Sequence, residues 1–219
     1  MKKENFSPRV MAEVALLSAF AVVLDLLQSA ICRFFPLWPN GGSIGIAMVP
    51  IFILAYRRGT ICGLLGGFIV GLLDMLDGVD ISPLATNGWM VFASVLLDYV
   101  LAWTLVGCSG LMGSFVRKAK TKKEMWLYAS LGVVIGGGLR FISHFLSGMY
   151  MWEKGTEVLH IALDVPKYAY SLLYNGSYLL PCIIICAVVV SLLLCYQPKL
   201  LVNNENLIVT KEAQDEEKN

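Results

Sequence analysis

Six apolar runs, separated by short polar or basic breaks, constrain this chain more than any other feature. They occupy about residues 10–32, 43–57, 60–77, 88–113, 125–150 and 169–196. A helix needs about 20 predominantly apolar residues to cross the hydrocarbon of a bilayer. Inside lipid every backbone N–H and C=O must be satisfied within the protein, so runs of this kind predict helices. The chain is 57% hydrophobic and only 15% charged, whereas soluble domains carry about 25% charge. An ordinary soluble fold is excluded, and so is disorder, because too much apolar surface would stay wet. The expected fold is all-α: a polytopic membrane protein with six transmembrane helices over residues 1–198, followed by a polar tail over 199–219. The second and third runs are short and meet at Tyr56-Arg57-Arg58-Gly59, read as a tight hairpin. The first run follows Lys2 and Lys3 but contains Glu13 and Asp25 and shows no small-residue cleavage site. It is read as a retained helix rather than a signal peptide.

Six spans place both termini on one side, and the distribution of cations says which. Of the 17 lysines and arginines, thirteen fall in the termini and in the breaks on the same side as them. Three (Arg33, Lys154 and Lys167) fall on the other, and Arg140 lies inside a span. By the positive-inside rule both termini are cytoplasmic, in a multi-pass protein of the cell membrane, most simply a bacterial plasma membrane. The exterior breaks carry Asp77, Asp80, Glu153, Glu157 and Asp164, which would mildly concentrate cationic solutes or serve only as solvated loop charge. The six cysteines sit in or beside apolar runs without a C-x-x-C pair and read as packing thiols, not as disulfides or a metal site. No G-x-x-x-x-G-K-[ST], H-E-x-x-H or G-x-G-x-x-G occurs, and no Gly-Lys pair at all. The chain is therefore not expected to be an enzyme or to carry its own ATPase. No cofactor or metal is expected, and the partner demanded by composition is the lipid bilayer, not nucleic acid.

Ionisable groups inside spans cost about 2.5–3.5 kcal/mol each on insertion scales, so each needs a reason. Glu13, Asp25 and Asp74 lie near span ends and are read as structural or interfacial. Asp98, Arg140 and His144 lie deeper. Arg140, His144, Gly148 and Trp152 recur every fourth residue and so form one stripe on a helix. Gly148 would leave bare backbone in that stripe, His144 a hydrogen-bonding edge and Trp152 a ring for stacking or cation–π contact. The same stripe would equally serve helix packing, with Arg140 and Asp98 neutralising each other. Asp98 is followed by Tyr99, and the sixth run opens with Tyr168, Tyr170, Tyr174, Asn175 and Tyr178. Tyr168 is explained as an interfacial anchor; Asn175 lies a turn deeper and demands a partner. A carboxylate, aromatic faces and an amide clustered in the exterior halves of three spans suit a small, flat, hydrogen-bonding cation. Ala15 and Ala19 make a small-xxx-small pair on the first span, where another helix can approach closely. Gly59, Gly63, Gly67 and Gly71 form a longer seam, read as internal packing against the second span.

Several stretches together resemble the thiamine-specific substrate-binding component of energy-coupling-factor transporters. They are Gly41-Gly42-Ser43-Ile44 leading to Met48-Val49-Pro50-Ile51, Arg57-Arg58-Gly59, Leu97-Asp98-Tyr99, Arg140-Phe141-Ile142-Ser143-His144 with Ser147-Gly148, and Tyr170-Ser171-Leu172-Leu173-Tyr174-Asn175. The resemblance runs through nearly all six spans. It implies a high-affinity binder that captures thiamine at its extracellular end. Asp98 would hold the aminopyrimidine or balance ligand charge, and Tyr99 would bond toward the hydroxyethyl end. His144, Trp152, Tyr170 and Asn175 would stack on or hydrogen-bond the rings, with Gly148 permitting close approach. It further implies that Ala15 and Ala19 dock on a transmembrane coupling subunit driven by two cytoplasmic ATPase subunits. Some members carry Trp where Val70 and Gly41 stand, and Glu where Gly45 stands, which leaves Trp38 as the available aromatic of that loop. The alternative of another class is a self-contained proton-coupled secondary transporter for a small cation, with Asp98, Arg140 and His144 as the relay; no inverted repeat accompanies it.

Overall fold

A computed structural model describes residues 7–35, 37–38, 41–80, 87–151, 157–158, 161–162 and 165–201. The six apolar runs form six helical elements: α1 (Pro8–Arg33), α2 (Val49–Arg58), α3 (Thr60–Asp74), α4 (Gly88–Lys118), α5 (Lys122–Met151) and α6 (Lys167–Tyr196). A 3-10 turn, Met75–Asp77, prolongs α3, and another, Pro198–Leu200, follows α6. Between α5 and α6, two two-residue strands, Glu157–Val158 and Ile161–Ala162, pair antiparallel. Five of the six elements are long and apolar enough to span a membrane.

The exception, α2, has 10 residues and is about 15 Å long, half a hydrocarbon thickness. The apolar residues ahead of it, from Ser43 to Met48, are not helical. Irregular backbone at membrane depth is tolerated where it is buried in protein or lines a cavity, and this stretch does both. Gln28 of α1 accepts from Ala47 N (3.2 Å) and donates to Ser43 Oγ (2.9 Å), while Cys182 of α6 accepts from Gly45 N (3.4 Å) and donates to Ser43 O (3.3 Å).

Local chemistry explains the ends. Ser7 accepts from Val10 N ahead of Pro8, the first helical residue of α1, and Asn87 accepts from Met90 N at the start of α4. Gly59 joins α2 to α3 with φ +94°, a conformation that an L side chain resists. The glycine seam of α3 is internal, but its principal partner is α4. A Cβ on Gly67 would fall 2.2 Å from Trp103 O, and one on Gly71 2.7 Å from Tyr99 O; only Gly63 meets α2, at Ala55. Gly107 and Gly110 of α4 return the close approach toward Gly63 and Thr60. The core between these helices holds Phe52, Tyr56, Val70, Trp103 and Val133, all fully buried.

Glu13 is a structural clamp. It accepts from Arg58 Nε (2.7 Å) and Nη2 (2.6 Å) and from Arg57 Nε (2.9 Å), pinning α1 to the α2–α3 hairpin. Arg57 also donates to Leu200 O (2.7 Å), which ties the end of α6 into the same cytoplasmic cluster. Ala15 and Ala19 stand exposed on the outer face of α1.

Candidate functional site

At the end of the bundle opposite this clamp lies a cavity of about 640 Å³. Its walls are the C-terminal half of α1, the stretch 41–48, the end of α3 with the turn after it, the middle of α4, and the facing halves of α5 and α6. With cytoplasmic termini these ends all face the exterior. Asp98, Tyr99, His144, Gly148, Tyr170 and Asn175 all line it; Trp152 lies outside the described residues.

Asp98 and Tyr99 sit in a π-helical turn, Leu96–Leu101, inside α4. One extra residue in a helical turn re-aims the side chains it carries, and such turns gather at functional sites. Here the turn delivers Asp98 to α5. Its Oδ1 faces His144 Nδ1 at 3.2 Å, and its Oδ2 accepts from Ser147 and from Ser94 (3.3 Å). Ser143 donates to Leu97 O (2.6 Å), one of the carbonyls in that turn. The carboxylate is therefore held by partners on two helices and sits at the cavity wall, only partly exposed.

Arg140 makes no direct ion pair with Asp98 among the described residues. Its guanidinium lies over the Trp103 ring, 3.8 Å from the centroid, and its Nε donates to His144 Nε2 at 3.5 Å. Trp103 Nε1 in turn donates to Asp74 Oδ2 (2.7 Å). A connected chain thus runs Asp74, Trp103, Arg140, His144, Asp98.

The α6 wall is aromatic. Tyr170, Tyr174 and Tyr178 recur at i, i+4, i+8 and are buried on one face. Tyr174 meets Tyr170 at 5.6 Å between centroids and Tyr178 at 6.2 Å, the latter edge to face. Tyr178 also meets the edge of His144 at 6.3 Å and Trp38 at 6.0 Å, separations within the favourable aromatic range. Trp38 donates to Ser177 Oγ (2.7 Å), and Tyr174 to Gly41 O (2.8 Å), so Trp38 and the 41–48 stretch are both fastened to α6. Asn175 donates to Ser171 O (3.0 Å) and His144 O (3.3 Å) and accepts from Tyr178 OH (2.8 Å). Gly148 lies against Ser171, whose Oγ would be 2.3 Å from a Cβ there. Close approach at Gly148 is thus made by α6 as well as by the cavity. Tyr168, by contrast, is exposed.

Sequence reasoning missed part of the wall. Asp25 and Asp74 line the cavity instead of an interface. Gln28 donates to Asp25 Oδ1 (2.9 Å), and the Asp25–Gln28 spacing of three on α1 was the available signal. Asp77, paired with Arg33, and Asp80, whose N–H donates to Tyr99 OH (2.7 Å), complete an acidic rim. Gly41 and Gly45 are fitted to this packing: a Cβ would fall 2.7 Å from Asp80 Oδ2 and 2.0 Å from Gln28 Oε1 respectively. Residues Gly41 to Gly45 have the G-x-S-x-G spacing, but they follow no strand among the described residues, and Ser43 is engaged by Gln28. No group of three or more metal-ligating side chains occurs among the described residues.

Comparison with known proteins gives a consistent result. Residues 11–202 match the family model described as thiamine transporter protein (Thia_YuaJ). The chain is 36% identical over 196 residues to the thiamine transporter ThiT of Bacillus subtilis (strain 168), covering 86% of this chain and 92% of that one. It is 30% identical over 216 residues to thiamine transporter ThiT of Lacticaseibacillus paracasei, covering 93% and 96%. A solved structure of ThiT from Listeria monocytogenes superposes with a TM-score of 0.71 at 25% identity, covering 91% of this chain and all of that one. With the matching model spanning most of the sequence, this multi-pass membrane protein belongs to the thiamine transporter family.

Proposed function

We propose that the chain captures thiamine from the exterior and presents it for uptake as the substrate-binding component of an energy-coupling-factor transporter. The observation that carries this reading is the Asp98 carboxylate, held by His144 and two serines at the wall of an aromatic cavity. Thiamine is a flat cation with a hydrogen-bonding pyrimidine. Tyr170, Tyr174, Tyr178 and Trp38 offer ring faces and edges to its two heterocycles, and Asp98 offers charge in a partly desolvated setting. Desolvated cation–π contacts are worth about 2 kcal/mol, and charge-assisted hydrogen bonds about 1.5–3 kcal/mol. A few of each approach the ~12 kcal/mol of nanomolar binding. The sequence has no P-loop, so ATP-driven uptake draws on ATPases of other chains, and the exposed Ala15–Ala19 face of α1 supplies a surface on which a coupling subunit's helix can lie closely.

Titrating the purified protein with thiamine while following tryptophan fluorescence tests the reading. Saturable binding is expected, weakened at least about tenfold in Asp98→Asn, since a tenfold change is about 1.4 kcal/mol and a charge-assisted contact is worth at least that. Absence of binding by the unsubstituted protein overturns the function; unchanged affinity in Asp98→Asn overturns the role of Asp98. Reconstituted alone in liposomes, the chain should bind thiamine without accumulating it under a proton gradient.

A further inference from the structure

We propose that Arg140 is a positioning residue that holds His144 as a singly protonated imidazole, with its proton on Nδ1, so that Asp98 has no cation bonded to it and stays open to a cationic ligand. This rests on the reading of the cavity as a thiamine site and names a residue through which that site works.

The argument is one of donors and acceptors. A guanidinium has N–H donors and no acceptor. Arg140 Nε, 3.5 Å from His144 Nε2, can bond only to a ring nitrogen that carries a lone pair. Nε2 is therefore unprotonated, and the ring proton lies on Nδ1. That nitrogen is 3.2 Å from Asp98 Oδ1, an acceptor, so both neighbours demand the same tautomer. The reverse tautomer would set N–H against N–H on one side and lone pair against carboxylate on the other. Asp98 alone would also accept a doubly protonated ring. Arg140 opposes that form, because a proton on Nε2 would face the Arg140 N–H.

The charge balance gives the arrangement its use. The partners of Asp98 among the described residues are a neutral imidazole and the Ser94 and Ser147 hydroxyls. None of these direct partners brings a cation into contact with it. An imidazolium at residue 144 would form an ion pair with Asp98 and leave a cationic ligand competing for it. Arg140 is held away from Asp98 by its stack on Trp103, 3.8 Å to the centroid, and Trp103 is fixed by its bond to Asp74. Other titratable groups bearing on these residues are Tyr178 and Tyr99, Asp25 beside Asp74, and Cys182 and Cys186 of α6. Both ring nitrogens of His144 are thus committed to the protein.

The chain has two histidines, so His160→Gln leaves His144 as the sole imidazole, and nitrogen-15 NMR of histidine-labelled full-length protein reports its protonation directly. In the His160→Gln background the spectrum should show a protonated Nδ1 and an unprotonated Nε2. In Arg140→Met the Nε2 signal should move to the protonated range while Nδ1 stays protonated, and thiamine affinity should fall at least about tenfold. Arg140→Lys, still a donor without an acceptor, should retain the signature and most of the affinity. A protonated Nε2 in the background protein overturns the proposal, and so does Arg140→Met with an unchanged signature, whatever its affinity. If Arg140→Met does not fold, the background and Arg140→Lys spectra decide. Failure of every form to bind thiamine refutes the functional reading, while the spectra still settle the role of Arg140.

Discussion

Gly148 and Gly138 lie on the same helix and respond to opposite forces. A methyl on Gly148 would come within 2.3 Å of Ser171 Oγ and 3.3 Å of Asn175 Nδ2. Ser171 cannot swing aside freely, because its hydroxyl donates to Phe145 O (2.9 Å) and accepts from Asn175. Overpacking costs about 1–3 kcal/mol, which outweighs the ~1 kcal/mol that alanine gains over glycine in a helix. Gly148→Ala should therefore lower the melting temperature and, by displacing Asn175 and the Tyr178 bonded to it, weaken thiamine binding about tenfold in the fluorescence titration. Gly138 has nothing within 4 Å of a built Cβ, so Gly138→Ala should bind as the parent does and melt no lower. Equal behaviour of the two variants would show that the α5–α6 contact at Gly148 does not shape the cavity. The four-residue stripe of Arg140, His144 and Gly148 was legible because helical spacing alone puts those residues on one face. That Arg140 stacks on Trp103 and leaves Asp98 to His144 was not, since a pairing across helices has no spacing to betray it.

Among the elements, hydropathy located all six because lipid admits few alternatives to a continuous apolar helix. It overextended α2 for the same reason: residues 43–48 are as apolar as a helix, and only the tertiary bonds from Gln28 and Cys182 make them a loop. The π turn in α4 has no compositional mark either, as one inserted residue changes the register without changing the residue types. The seam of α3 was seen, but its main partner was misassigned to the neighbour in sequence; small residues invite close approach without specifying by whom. The clamp at the other end of these elements carries a prediction of its own. Arg58 is almost fully buried, with Glu13 as its carboxylate partner at 2.6 Å and 2.7 Å. Hydrogen bonds to charged groups contribute about 1.5–3 kcal/mol, and a buried cation that loses this carboxylate adds desolvation to that loss. Glu13→Ala should destabilise the protein by about 2–3 kcal/mol, read as a lower thermal midpoint. Thiamine affinity should hold within about twofold, because the cavity lies at the opposite end of the bundle. A matching loss of affinity would mean that the hairpin and the cavity are coupled through α1.

The molecule as a whole is polarised: a basic, clamped cytoplasmic end and an acidic cavity at the other. Two native thiols report on this axis. Cys32, half-buried near the end of α1, lines the cavity, whereas Cys195, also half-buried, lies near the far end of α6, 3.8 Å from Lys122 O. In intact cells expressing variants that retain only one of them, a membrane-impermeant maleimide should label Cys32 and leave Cys195 unlabelled until the membrane is permeabilised. Thiamine added outside should slow labelling of Cys32 and leave Cys195 unaffected. The reverse pattern would invert the orientation drawn from thirteen cations against three. Labelling of Cys32 with no protection by thiamine would keep the orientation but place the ligand elsewhere. The two inferences, which way the chain sits and where it binds, therefore fail separately, as they should: the first rests on charge summed over the whole chain, and the second on Asp98, His144 and the rings around them.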